Sequence, residues 1–156
     1  MITEIETRPA LTIKDLKGHA DPDWCPGCGD YAILQVMKKV LPQMGVPREN
    51  TVFISGMVGW NGQEEFVSAD LAGQVRQALS NIVDLLAEAN AKPTDIVRMT
   101  WYLIDKKEYL ASAKEIGAAY REIIGRHYPA MTVVQVSALL EDKARVEIEV
   151  TAVVPD

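Results

Sequence analysis

The chain has 156 residues, of which 48% are hydrophobic and 24% charged, and its formal net charge is −6. These values are typical of a globular protein with one ordinary domain, or one domain plus an extra segment. A net negative charge disfavours nonspecific nucleic-acid binding, which needs a surplus of Lys and Arg. No apolar run approaches the roughly 18–20 residues of a membrane span. We therefore expect neither nucleic acid nor membrane as a partner.

The N-terminus and the cysteines favour a cytoplasmic protein. Residues 1–9 contain two Glu and no apolar run, unlike a signal peptide. The two cysteines, Cys25 and Cys28, lie only three positions apart and do not make a disulfide framework. We therefore predict a cytoplasmic location and reduced thiols.

The first 50 residues differ in composition from the rest. They hold five of the eight prolines, and glycines surround the Cys-x-x-Cys pair. The apolar spacing of residues 32–41 predicts one helix, with Asp30 as its N-cap. We predict an N-terminal extension over residues 1–50, with a Cys-x-x-Cys loop and one helix, and a domain over residues 51–156.

From Thr51 onwards strand and helix patterns alternate. Residues 51–55 are mainly β-branched and aromatic and predict a strand that ends at Gly56. Ser68 is the predicted N-cap of a long helix over residues 69–90, whose apolar residues recur every three or four positions. Gln74 falls off that apolar stripe.

The second half of the domain predicts a strand, a helix and two more strands. Residues 96–104 alternate between an apolar side and a polar side that includes Tyr102. Residues 107–125 predict a helix, with Ala113 among its inward residues. Residues 131–139 and 144–153 predict two further strands, joined by a turn. This order predicts an α+β fold, a mixed sheet with two helices on one face.

Five separated segments resemble the Rid/YjgF family, also called endoribonuclease L-PSP. They are residues 52–56, 74–79, 95–100, 128–130 and 146–149. The resemblance implies a chorismate-mutase-like fold and a homotrimer that binds small molecules in clefts between subunits. It also implies hydrolysis of enamines and imines to carbonyl compounds and ammonia, with no cofactor.

The resemblance assigns roles to five residues. Glu147 matches the glutamate that orients water, and it shares one face of the last strand with Glu149. Ser55 and Gly56 match a turn that contacts the substrate. Met131 stands where active members carry an arginine that grips the substrate carboxylate, and Thr132 beside it is a further substrate-binding position. Methionine offers no donor, so the resemblance does not by itself imply an active deaminase.

The N-terminal extension resembles a different family. Residues 23–30, followed by a helix and the strand over residues 52–56, resemble the start of the β subunit of 2-oxoacid:ferredoxin oxidoreductases. In that family the cysteine pair ligates a [4Fe–4S] cluster, which needs four thiolates, and this chain has two. The strand over residues 52–56 fits both families, so the sequence pattern indicates that segments like the two families are joined at this shared strand. Residues 11–14 alternate and are predicted to replace the first strand of the Rid fold.

Three interpretations of Cys25 and Cys28 remain open. They are metal ligands shared between subunits, a redox dithiol activated at a helix N-terminus, or an inherited segment without chemistry. We favour the last and predict no bound metal.

Three functions follow for the whole chain. The first is a Rid-like hydrolase of imines in which Glu147 positions water and Met131 selects substrates without a carboxylate. The second is a non-catalytic trimer that binds a small ligand. The third is an iron–sulfur or redox remnant of the oxidoreductase.

Overall fold

A computed structural model describes residues 50–155 of the protein. The chain divides into two units after Thr51, and all but the first two of the described residues belong to the second unit, Val52–Asp156. The helix predicted for residues 32–41, the strand predicted for residues 11–14 and the cysteine pair lie outside the described residues.

Four strands form one mixed sheet. In chain order they are β1 (Thr51–Met57), β2 (Ile96–Leu103), β3 (Ala130–Gln135) and β4 (Val146–Val153). Their order across the sheet is β1-β4-β2-β3. Strand β2 pairs antiparallel with β4 and parallel with β3. The predicted α+β fold with a mixed sheet is confirmed.

The helices cover one face of this sheet. They are α1 (Leu71–Glu88), α2 (Lys106–Ala111) and α3 (Ala113–Ile123), and a short 3-10 helix, Pro93–Asp95, precedes β2. The apolar stripe of α1 and the buried residues of α3 join the buried side of β2 and β4 in a single core. Within residues 50–155, no helix is long and apolar enough to cross a membrane.

Helix α1 begins two residues later than predicted, and its N-cap is Asp70 rather than Ser68. The Asp70 carboxylate accepts a hydrogen bond from the backbone N–H of Gly73 at 2.8 Å, the usual capping geometry. Ser68 instead donates its hydroxyl to Asp70 Oδ2 at 2.6 Å. This hydroxyl, followed by the Gly73 N–H, lowers the pKa of Asp70. Both residue types cap well, so sequence alone did not choose between them.

The single helix predicted for residues 107–125 is two helices separated at Ser112. Ser112 ends α2, where its N–H donates to Glu108 O at 2.9 Å, and its carbonyl accepts from Ile116 N to begin α3. Ala113, predicted to point inward, is the first residue of α3 and is exposed. Serine favours helix ends because its hydroxyl competes for backbone hydrogen bonds.

Strand β3 ends at Gln135, four residues before the predicted end. Its partner β2 ends at Leu103. The last backbone hydrogen bond between β3 and β2 is donated by Val136 N to Leu103 O at 2.8 Å. Residues 137–139 therefore have no β2 strand beside them.

Gln74, predicted to lie off the apolar stripe of α1, is buried, with 1% of its surface exposed. Its Nε2 donates to Ser68 O at 3.1 Å and to Lys143 O at 2.9 Å, and its Oε1 accepts from Arg145 N at 2.8 Å. A buried amide is tolerated because every polar atom has a partner. Gln74 thereby ties α1 to the connection that leads into β4.

Candidate functional site

The end of β1 carries Ser55 and Gly56. Ile54 is buried in the core, so Ser55 points to the opposite, helix-free face of the sheet and is exposed. Gly56 has a φ of +70°, a conformation that glycine adopts at little cost and other residues rarely adopt. No atom lies within 4 Å of where a Cβ would stand, so the backbone angle, not space, requires glycine here.

The last strand displays two carboxylates on the helix-free face. Val146, Ile148 and Val150 are buried against the helices, whereas Glu147 and Glu149 are partly exposed on the other side. The predicted alternation of this strand is therefore present. The assignment of Glu147 as the residue that orients water remains a prediction.

Tyr102 joins this group from the neighbouring strand. Its hydroxyl donates to Glu149 Oε2 at 2.9 Å, and Ser55 Oγ donates to Glu149 Oε1 at 3.5 Å. Burial raises the pKa of the Tyr102 phenol, and the hydrogen bond and negative charge of Glu149 raise that pKa further. The proton therefore stays on Tyr102 at neutral pH. We call Ser55, Glu149 and Tyr102 the hydroxyl–carboxylate network.

Sequence reasoning placed Tyr102 on the polar side of its strand but gave it no role. The role depends on register. Tyr102 lies directly opposite Glu147, and Thr100 lies opposite Glu149. Alternation within one strand predicts which side a residue faces, but not which residue of the next strand it meets.

Met131 and Thr132 lie on the edge strand β3 and face opposite sides. Met131 pairs with the buried Met99, and Thr132 pairs with Thr100. Residues paired directly across a sheet point to the same face. Thr132 thus shares the helix-free face with Glu147, whereas Met131 lies on the helix side of the edge with 42% of its surface exposed. Within the chain the structure does not bring Met131 and Glu147 together.

A cavity of about 290 Å³ lies elsewhere, between the start of α1 and the connection into β4. Its lining is Phe66, Ser68, Ala69, Gln74, Ile104, Asp142, Lys143, Ala144 and Arg145. None of the five predicted site residues lines it. Arg145 is already engaged there, since its Nε donates to Ala69 O at 2.6 Å and its Nη1 lies 2.7 Å from Glu108 Oε2.

Among the described residues, no group of three or more His, Cys, Asp or Glu side chains is placed to hold a metal ion. Cys25 and Cys28 are not among those residues, so their three interpretations stay open.

Comparison with protein families finds a match over most of the chain. The family described as endoribonuclease L-PSP matches residues 38–154. A RutC family protein of Leuconostoc mesenteroides is 36% identical over 106 residues, covering 67% of this chain and 80% of that protein. The 2-iminobutanoate/2-iminopropanoate deaminase of Escherichia coli is 32% identical over 112 residues, covering 70% of this chain and 84% of the enzyme.

Solved structures give the same result. A Mycobacterium tuberculosis member of the YjgF/YER057c/UK114 family superposes with a TM-score of 0.55 at 30% identity, covering 67% of this chain and 80% of that chain. The YjgF gene product of E. coli superposes with a TM-score of 0.58 at 32% identity, covering 69% of this chain and 84% of that chain.

The N-terminal part matches a different protein. The KorB subunit of a 2-oxoglutarate oxidoreductase from M. tuberculosis is 52% identical over 44 residues, or 28% of this chain. This similarity confirms the two-part character of the sequence. The chain spans only 12% of that subunit, so the similarity carries none of the subunit's activity to this protein.

Proposed function

The chain belongs to the endoribonuclease L-PSP family, also called Rid/YjgF, and on that premise we propose that it hydrolyses small imines and enamines to carbonyl compounds and ammonia. The observation that supports the proposal most directly is the position of Glu147. Its carboxylate stands on the helix-free face beside Tyr102, one strand from Ser55 and Gly56. The E. coli relative bears the name of an imine deaminase.

The chemistry needs one base and one water molecule. Glu147 takes a proton from water while the water oxygen bonds to the imine carbon, and the electron pair of the C=N bond moves to nitrogen. The protonated Glu147 then returns the proton to that nitrogen. In the resulting carbinolamine, Glu147 takes the hydroxyl proton and delivers it to the amine nitrogen. The electron pair left on oxygen then forms the carbonyl as the C–N bond breaks and ammonia leaves. General base catalysis of this kind contributes about 10²–10⁴-fold to the rate.

Met131 sets the substrate class in this proposal. A methionine has a weak acceptor and no donor, so it does not neutralise a carboxylate as an arginine would. Imines without a carboxylate are therefore the expected substrates. Because Met131 and Glu147 face opposite sides of one subunit's sheet, we propose that the site is completed between subunits of a homotrimer, with Met131 contributed by a neighbouring copy.

Two cysteines that are too few and too close for a disulfide framework favour a reducing compartment, the cytoplasm. We propose that the protein acts there.

The test is ammonia release from imines with and without a carboxylate group. Wild-type protein is expected to hydrolyse the imine without a carboxylate faster, and Glu147→Gln is expected to slow it at least about 100-fold. Glu141→Gln removes the same charge from an exposed turn and should have no effect. Met131→Arg should shift the preference towards the carboxylated imine. No release by wild type, or equal rates for Glu147→Gln and wild type, would reject the proposal.

The absent arginine favours one second candidate, a trimer that binds a small ligand without turnover. A ligand at 100 times its Kd stabilises the folded protein by about 2.7 kcal/mol. A thermal-shift panel of small carbonyl compounds and amines tests this function. Stabilisation by such a compound, together with no ammonia release, would favour binding over hydrolysis.

A further inference from the structure

Glu149 lies two residues beyond Glu147 on β4 and is held by hydroxyls from both flanking strands. Tyr102 of β2 donates to Oε2 at 2.9 Å, and Ser55 of β1 donates to Oε1 at 3.5 Å. Strands β1 and β2 are the two neighbours of β4. One carboxylate therefore links three strands across the helix-free face.

The direction of the Tyr102 side chain follows from its register. Tyr102 lies directly opposite Glu147, yet its hydroxyl reaches Glu149, the diagonal neighbour. Diagonal positions are about 7–8 Å apart, within reach of an aromatic side chain. The ring therefore leans along β4, so that a side chain that starts opposite Glu147 ends at the Glu149 carboxylate.

The single phenol proton is committed to Glu149. A tyrosine hydroxyl has one proton to donate and lone pairs that accept. Since Glu149 receives the proton, the Tyr102 oxygen acts towards any further group as an acceptor only.

We propose that Tyr102 is the second acceptor for the hydrolytic water and that Glu149 is a positioning residue that keeps Tyr102 in this role. The inference rests on the proposed hydrolysis. Water donates one hydrogen to Glu147 and the other to Tyr102, which leaves an oxygen lone pair directed at the imine carbon. Glu147 takes the water proton that it accepts as the C–O bond forms. Tyr102 stays protonated and does not move.

A purely structural role of Glu149 predicts different effects of its loss from the positioning role proposed above. If Glu149 serves only to join β1, β4 and β2, its loss lowers stability and leaves the chemical step unchanged. If Glu149 positions Tyr102, its loss changes kcat even where the protein stays folded. The two roles are separated by kinetics on variants at a temperature well below the unfolding midpoint of each.

The kinetic test compares Tyr102→Phe, Glu149→Gln and the double variant, with ammonia release from the imine without a carboxylate as the readout. Each single change is expected to lower kcat about threefold to tenfold with KM nearly unchanged, as for one lost hydrogen bond in the transition state. In the Tyr102→Phe background, Glu149→Gln should add nothing, because no phenol remains to be oriented. Tyr109→Phe, on α2, is the matched control and should keep full kcat.

A second readout needs no substrate. The difference in ultraviolet absorbance between wild type and Tyr102→Phe during alkaline titration isolates the Tyr102 phenol. Its pKa lies above the usual value because of burial and the hydrogen bond and charge of Glu149. Glu149→Gln removes the charge, so the pKa of Tyr102 should fall while burial keeps part of the rise.

The outcomes distinguish this inference from the proposed function. If wild type is active and Tyr102→Phe has the same kcat, the inference is wrong and the proposed function stands. Additive losses of kcat in the double variant would also overturn the inference alone. If the pKa of Tyr102 is the same in Glu149→Gln as in wild type, Glu149 does not act on Tyr102 and the inference is overturned. A wild type that releases no ammonia from any imine overturns the hydrolysis and this inference with it.

Discussion

Single residues depart from the sequence pattern where hydrogen bonds, not apolar periodicity, decide burial. Gln74 is a polar residue in the core, and three hydrogen bonds to Ser68, Lys143 and Arg145 satisfy its amide. Its partners lie 6, 69 and 71 positions away in the chain. A local sequence pattern cannot predict hydrogen-bond partners 69 and 71 positions away. Only the folded structure shows why Gln74 is buried.

Replacing Gln74 with Leu tests its role at the residue scale. The change keeps the volume but removes the partner of the Arg145 N–H and of two carbonyl groups in a part-buried place, so the free energy of unfolding should fall by about 1–3 kcal/mol. Urea unfolding, with the midpoint and slope compared with wild type, measures it. Gln77→Leu on the same helix is the control, because Gln77 is only partly buried and bonds to Asn81. Equal losses in the two variants would contradict this role of Gln74.

At the scale of elements, the connection between β1 and α1 packs against the helix it precedes. Gly59 is buried, and a Cβ on it would lie 2.6 Å from Gln74 Cα and 2.7 Å from Gln74 O. These are backbone atoms, which cannot rotate away. The connection returns to the first turns of α1 because this glycine allows the two backbones to approach.

Gly59→Ala is therefore expected to lower the free energy of unfolding by about 1–3 kcal/mol, the cost of forcing atoms into a packed site. Gly62→Ala is the matched control in the same connection, since no atom lies within 4 Å of its added Cβ, and it should change stability by less than about 0.5 kcal/mol. Thermal unfolding of both variants against wild type checks the difference. Comparable midpoints for the two would mean that the connection shifts freely.

At the scale of the whole molecule, the sheet has one covered and one uncovered face among the described residues. The helices bury one side, while the other carries the hydroxyl–carboxylate network together with exposed apolar side chains such as Phe53, 44% exposed, and Val134, 39% exposed. Phe53 lies on β1 and Val134 on β3, the two outer strands, so apolar surface is exposed at both edges of this face. We expect this face to be the contact between copies in the proposed trimer.

Light scattering in solution tests that expectation. Wild type should have a mass of about three times 17.2 kDa, because self-association buries the apolar side chains of the helix-free face. Phe53→Glu places a charge on that face and should give the mass of a single chain. Leu85→Glu changes an equally exposed apolar residue on α1 and should leave the mass unchanged. A trimer that survives Phe53→Glu would place the contact elsewhere.

The sequence by itself determined the order of strands and helices after Thr51, the mixed α+β sheet and the alternation that separates Glu147 and Glu149 from the core. These follow from local periodicity, which a window of about ten residues contains. The break at Ser112 and the choice of Asp70 over Ser68 as cap were missed, because several residues nearby satisfy the same local rule.

Only the tertiary structure decided which side chains meet. The register of β2 on β4 brings Tyr102 opposite Glu147 and within a hydrogen bond of Glu149, and the register of β3 turns Met131 to the helix side and Thr132 to the other. Register is set by contacts between segments far apart in the chain, and a shift of one residue would reverse every face. The residues of the candidate site can therefore be predicted from the sequence, whereas its geometry depends on the pairing of strands that are far apart in the chain.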